Sequence, residues 1–220
     1  MAIFINYKKR LVVFTSYKVG YSTLMSQVNE DFLHLHYTMN FAIYKHLTKY
    51  HNFKRYMLVR HPYRRFASLF QDKFRKQPQR ILEGLHRWEQ VHVCLFPYVG
   101  VTKLDADATI AQAFMDMSTS AFLSYLPKVM TQDDHFMPQI SSFQCKAFGS
   151  LSLPIKIHRF FRLEDEFDTL NNLADLNVRA VKNTSNSKAT KQTLTTKDFE
   201  ILNTLYQDDF KLGGYDMQTM

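Results

Sequence analysis

Two short stretches of this sequence gather residues able to hold an anion. The first, FTSYKVGYSTL from Phe14 to Leu24, carries one lysine, one glycine and four hydroxyl side chains: Thr15, Ser16, Ser22 and Thr23. The absent Cβ at Gly20 lets a ligand approach the backbone. Ser22 and Thr23 add hydroxyl donors, Lys18 adds a mobile charge, and a helix beginning at Gly20 turns its first N–H groups toward the same point. That equipment suits a phosphate or a sulfate. Lys18 precedes the glycine, whereas a triphosphate loop carries its lysine after a second glycine, and no G-x-G-x-x-G occurs. Triphosphatase and dinucleotide sites therefore lack their signals. The second stretch is VRHPYRRFASLF, Val59 to Phe70. Arg65 and Ser68 are three residues apart, hence neighbours on a helix surface, and an arginine fork beside a hydroxyl suits a phosphomonoester.

These residues need elements to position them. RLVVFTS reads as a buried strand, FLHLHY as a second strand near 32–37, and RYMLVR as a third from Arg55 to Arg60. GYSTLMSQVNE and NFAIYKHLTKY suit helices, and Pro62 stands where a helix can begin. Beyond it, Phe66, Phe70 and Phe74 mark one buried stripe, leaving Ser68 off the stripe to face a ligand. Strands alternating with helices predict right-handed crossovers and a parallel sheet, with ligands at the strands' carboxyl ends, where both stretches fall. The chain is expected to form a single domain over 1–220, with residues 80–130 as a helical insertion. PIKIHRFFRLED reads as a further strand entering a helix near Glu164. KNTSNSKATKQTLTTK, 182–197, has almost no apolar anchors and reads either as a linker or as a mobile loop over an anion site. TKDFEILNTLYQDDFKLGGYD resumes amphipathic helix and ends in a Gly-Gly turn.

Composition narrows the partners. The 220 residues carry 28 Lys+Arg against 20 Asp+Glu, a net charge of +8, which favours an anionic partner. The arginines cluster at strand–helix junctions rather than along one helix face, and no nucleic-acid motif occurs, so no nucleic-acid partner is expected. Two distant cysteines, Cys94 and Cys145, support neither a disulfide framework nor a cysteine zinc site. With no apolar run of membrane length and no signal-peptide order at the N-terminus, the expectation is a cytoplasmic protein without a membrane span.

Together the two stretches resemble the sulfotransferases that use 3′-phosphoadenosine 5′-phosphosulfate (PAPS). In that family P-K-x-G-x-[ST]-[ST] holds the phosphosulfate end and R-x-P-x-x-R-x-x-S holds the 3′-phosphate. Lys18, Gly20, Ser22 and Thr23 match the first; Arg60, Pro62, Arg65 and Ser68 match the second. Tyr17 replaces the usual proline and His61 the usual aspartate. TQDDHFMPQISSFQC, from Thr131, is similar to the carbohydrate (Golgi-type) branch and its bacterial relatives, as are IHRFFRLEDEF and LYQDDFKLGGY.

The resemblance implies an α/β fold: a three-layer P-loop-like domain with a central parallel sheet flanked by helices. It implies sulfuryl transfer from PAPS, without a metal, to a hydroxyl-bearing acceptor such as a glycan or small molecule. Lys18 would neutralise the leaving phosphate, while Ser22, Thr23 and the backbone N–H groups of Gly20 and Tyr21 hold the 5′-phosphate. Arg60 and Ser68 would hold the 3′-phosphate. Histidine suits the base at neutral pH: His135 is the first choice, with His36 and His34 open. Asn183 and Ser185 match a branch loop over the nucleotide, which would make Ser185, Ser187 and Lys188 contacts. Two other classes stay open on the residues: a kinase on the same scaffold and a basic nucleic-acid-binding module.

Overall fold

A computed structural model describes residues 2–27, 31–36, 49–147, 151–154, 156–176, 178 and 194–218. The helix anticipated from Asn40 and most of the 182–197 segment, with Ser185 and Lys188, lie outside the described residues. The chain forms two compact units. The first comprises 1–61, 138–183 and 208–215; the second comprises 62–137, 184–207 and 216–220.

The first unit holds a five-stranded sheet in the order β3-β1-β2-β4-β7. Its strands are β1 (Ala2–Asn6), β2 (Leu11–Thr15), β3 (Phe32–His36), β4 (Lys54–Val59) and β7 (Arg159–Arg162). A short antiparallel pair, β5 (Gln144–Ala147) and β6 (Leu151–Pro154), stands apart. The sheet is mixed rather than wholly parallel, which corrects the expectation from the crossovers. β2, β4 and β7 run parallel, whereas β1 pairs antiparallel with both β2 and β3. The cause is local. Tyr7–Arg10, with its three consecutive charges, is a tight turn, and a connection this short can only join antiparallel neighbours. Arg10 takes a φ of 50° there and accepts from Lys54 N–H through its carbonyl at 2.9 Å.

Alternation along each strand sends side chains to two cores. Phe4, Val13, Leu58 and Phe161 pack on one face, against Leu24 of the short helix α1 (Tyr21–Gln27) and Leu170 of the Phe167–Ala174 helix. Ile5, Phe14, Met57 and Val59 pack on the other, against Tyr50, Phe53, Leu212 and Tyr215. A sheet covered on both faces reads in sequence as continuous apolar runs, as LVVF does.

The second unit is helical. The anticipated Phe stripe is core: Phe66, Phe70 and Phe74 join Phe122, Phe114 and Phe136, with Phe74 and Phe122 rings 4.8 Å apart. The Pro62–Gln71 helix is buried nearly all round, with Arg64 the exposed exception along its first nine residues. It runs into a π-helical turn, Asp72–Lys76, before the Gln77–Leu82 helix. Gln77 N–H reaches back to Asp72 O, and Pro78 follows. Proline has no N–H and crowds the carbonyl four residues earlier, so the widened turn just before it relieves the clash. The segment anticipated as helix-rich divides into Asp107–Asp116 and Thr119–Val129, because Ser118 caps the second with its Oγ accepting from Ala121 N–H at 3.1 Å. Among the described residues no helix is long and apolar enough to cross a membrane.

Candidate active site

In the first unit, three adjacent parallel strands end together. Thr15 pairs with Leu58 and Val59 with Arg162, so the segments after β2, β4 and β7 leave the sheet at one edge. They carry Lys18, Arg60 and Glu164.

The loop after β2 is a turn closed by Val19 N–H donating to Ser16 O at 3.3 Å. Lys18, its third residue, has a φ of 67°, a left-handed backbone that a lysine rarely adopts. A turn with positive φ at its third residue and negative φ at its second is the type II pattern, in which proline is favoured at the second place. This gives a physical reason for a Pro-Lys pairing, and Tyr17 fills the proline place here. Thr15 Oγ1 donates to Val19 O, and Gly20 takes a φ of 73° before accepting the first α1 bond from Leu24 N–H at 3.0 Å. A Cβ on Gly20 would stand 3.1 Å from a Leu58 methyl and 3.4 Å from a Leu163 methyl, a tight fit that adds to the strain any side chain would meet at this φ. Ser22 is exposed at the head of α1, while Thr23 is buried.

Arg60 is tied to this loop. Its Nη1 donates to Lys18 O at 3.0 Å, and its Nε lies 3.9 Å from Glu164 Oε1, both side chains being nearly covered. Gln139 grips the Arg60 backbone on both sides: Oε1 accepts from Arg60 N–H and Nε2 donates to Arg60 O, each at 2.8 Å. Gln139 is fully buried and is held in turn by Asp209, whose carboxylate accepts from Gln139 N–H at 2.7 Å and Ile140 N–H at 2.9 Å. Glu164 accepts from His61 N–H at 3.2 Å and from Tyr215 Oη at 2.9 Å. Burial, then the Glu164 charge, push the Tyr215 phenol far above its ordinary range, so it stays a donor. The His61 ring packs at 4.8 Å from Tyr215 and 5.5 Å from Phe210, an aromatic slot an aspartate would not fill.

His34 belongs to the same unit, its ring 5.0 Å from Phe4 and 5.9 Å from Tyr21. His36 ends β3, and its side chain lies outside the described residues.

The remaining sequence-singled residues lie in the second unit. Ser68, expected off the Phe stripe to face a ligand, is 5% exposed, on a helix of which Arg64 is the exposed exception along the first nine residues. Arg65 is 4% exposed, and its Nη2 donates to His135 O at 3.1 Å and Met137 O at 2.8 Å. A guanidinium fork matches a pair of carbonyls as well as it matches a phosphate, and residue type alone does not separate the two. His135 pairs its Nδ1 with Asp133 Oδ1 at 2.6 Å. Burial would raise the Asp133 carboxyl, but hydrogen bonds from the His135 side chain and backbone, with the Lys73 charge, hold it below its ordinary range. Among the described residues no group of three or more His, Cys, Asp or Glu is arranged to hold a metal ion.

Gln139, Glu164, Asp209, Tyr215 and Asp133 carry no individual signal of a site role in the sequence. Each sits within a stretch already noted for its resemblance, and that was the signal available.

A family model described as "Sulfotransferase family" matches residues 6–216. The chain belongs to the sulfotransferase family. The match runs through both units and takes in the Lys18 loop, Arg60, His135 and the Gln139–Asp209 pair, so the sulfotransferase assignment covers the candidate site residues. Comparison with curated proteins gave no match, and comparison with solved structures gave none.

Proposed function

We propose that this sulfotransferase moves a sulfuryl group from PAPS to a hydroxyl, with the Lys18 loop and Arg60 as the core of the donor site. One observation carries the reading: Lys18, held in a left-handed turn after β2, is bonded through its carbonyl to Arg60 after β4. Two cations at the carboxyl ends of neighbouring parallel strands suit a ligand phosphorylated at two places. On this reading the scaffold is P-loop-like, with the lysine ahead of the glycine in place of the triphosphate order.

In the step proposed, the acceptor oxygen forms a bond to sulfur as the bridging bond from sulfur to the 5′-phosphate oxygen breaks. The electron pair of that bond stays on the phosphate, where Lys18 meets the growing charge. Gly20, Tyr21, Ser22 and Thr23 hold the 5′-phosphate; Arg60 and Ser68 hold the 3′-phosphate. The acceptor proton passes to His135, whose pairing with Asp133 favours it over His34 and His36. Ser185 and Lys188 are further donor contacts. A carbohydrate hydroxyl is the proposed acceptor class.

Calorimetry with adenosine 3′,5′-bisphosphate tests the donor site. Binding should be weakened at least about tenfold in both Lys18→Ala and Arg60→Ala. Magnesium-dependent ATP binding with indifference to the bisphosphate would replace this reading with a kinase, and salt-sensitive binding to any RNA or DNA would replace it with a nucleic-acid module. Labelled PAPS with a panel of methyl glycosides and small alcohols then identifies the acceptor.

A further inference from the structure

The turn that carries His135 is held more firmly than a surface loop requires. Three successive carbonyls are occupied by side chains from elsewhere in the second unit. Arg65 donates to His135 O and Met137 O, and Tyr206 Oη donates to Phe136 O at 2.8 Å. The Arg65 guanidinium lies over the Tyr206 ring, 5.8 Å from its centre, so the two donors also brace each other. Between them the Phe136 ring is fully buried against Phe122, 5.6 Å away. The backbone of residues 135–137 is thus fixed by two hydrogen-bonding side chains and one core anchor.

The imidazole is fixed as well. Asp133 Oδ1 accepts from His135 N–H at 2.8 Å and faces His135 Nδ1 at 2.6 Å. A carboxylate facing Nδ1 keeps the proton there in the neutral ring and leaves the basic lone pair on Nε2. The charged and titratable groups around this pair are the Arg65 guanidinium, the Lys73 ammonium acting on Asp133, and the Cys94 thiol, which burial and then the Asp133 charge push up to about 12. Lys73 is itself paired with Glu89 at 2.5 Å.

We infer that Asp133, Arg65 and Tyr206 are positioning residues for a proton-accepting His135, Asp133 by selecting the Nδ1–H tautomer and the other two by fixing the backbone that aims the ring. This rests on the proposed role of His135 as base. It gives Arg65, which the sequence presents as a phosphate ligand, a different task.

Long-range ¹⁵N–¹H NMR of the full chain labelled at histidine reads the tautomer without needing an acceptor. The His135 signals are assigned by their loss in His135→Gln. The expected wild-type pattern is Nδ1–H. Asp133→Asn, nearly the same shape, should move the ring toward Nε2–H and make it titrate at lower pH, because an anion that favours the imidazolium is gone. Bisphosphate binding in the same sample reports that the fold is kept. Arg65→Lys and Tyr206→Phe should keep the tautomer and lower kcat for the methyl glycoside panel about tenfold, with KM little changed. A wild-type Nε2–H ring, or an Asp133→Asn ring with unchanged tautomer and titration, overturns the inference. If instead His135→Gln transfers sulfate at the wild-type rate, the base assignment fails, even where the tautomer responds as expected.

Discussion

Lys18 holds a backbone conformation that costs free energy and a charge that the proposed chemistry needs, so replacing it with glycine should separate the two. At a φ of 67° a residue with a Cβ costs about 1–2 kcal/mol relative to glycine. Glycine gives back about 0.4–1 kcal/mol through the greater freedom of its unfolded chain. The net gain for Lys18→Gly over Lys18→Ala is therefore about 0.5–1 kcal/mol, or roughly 1–4 °C in Tm for a chain of this size. Alanine is the proper reference, since it removes the charge and keeps the strain. Both variants should bind adenosine 3′,5′-bisphosphate about 10- to 150-fold more weakly, the value of a charge-assisted hydrogen bond of about 1.5–3 kcal/mol. Paired thermal melts and calorimetry on the two variants provide both numbers. A glycine variant no more stable than the alanine variant would refute the argument that the loop stores strain at Lys18. Undiminished affinity in both would refute the assignment of its charge to the donor.

Two further outcomes follow from buried groups. Gln139→Ala strips a partner from the Arg60 N–H and the Arg60 carbonyl together and should cost about 3 kcal/mol, lowering Tm by roughly 6–12 °C, with bisphosphate affinity falling alongside; a Tm within 2 °C of wild type would contradict the clamp. His92 is fully buried, its Nδ1 accepting from Glu89 N–H and its Nε2 facing Lys73 O, and burial lowers its pKa from 6.5 to about 4. A depressed histidine pKa favours the neutral folded form, so its contribution is complete above pH 6.5 and is lost as pH falls toward 4, about 3 kcal/mol over that window. Urea unfolding from pH 7 to 4 should show this loss in the wild type and a shallower acid limb in His92→Gln; equal slopes would show that His92 does not titrate on unfolding.

What could be read from the sequence was whatever local pattern determines. LVVF and YMLV are continuous apolar runs bounded by polar residues, and they form the parallel strands that deliver Lys18 and Arg60. The Phe66–Phe70–Phe74 spacing gave a core helix for the same reason. β1 was missed because NYKKR interrupts the apolar residues around it, and only the fold reveals those charges as a hairpin turn. The Gln139–Asp209 contact spans 70 residues and Glu164–Tyr215 spans 51; no periodicity encodes such pairings. Arg65 was matched to a phosphate motif by residue type, and its contacts with the carbonyls of His135 and Met137, 70 and 72 residues away, are encoded by no local pattern.

The surroundings of Arg60 explain why the distant stretches belong together. A cation meant for a phosphate would bind most strongly with no anion beside it, yet Glu164 stands 3.9 Å from its Nε. Glu164 also takes the Tyr215 hydroxyl and the His61 N–H, while Asp209 reaches the Arg60 backbone through Gln139. Each contact restricts where the guanidinium can lie. In the proposed donor site, some attraction for the ligand would be exchanged for a side chain already aimed before the ligand arrives, which is what transfer between fixed groups rewards. Arginine suits that position better than lysine, since donors in a rigid plane can hold Lys18 O and face Glu164 at once, whereas an ammonium has no fixed plane to aim. The dependence runs both ways: the bond to Lys18 O also stabilises the left-handed turn. Lys18, Arg60, His61, Gln139, Glu164, Asp209 and Tyr215, drawn from separate stretches of the chain, are therefore linked in one network around the Arg60 side chain and backbone.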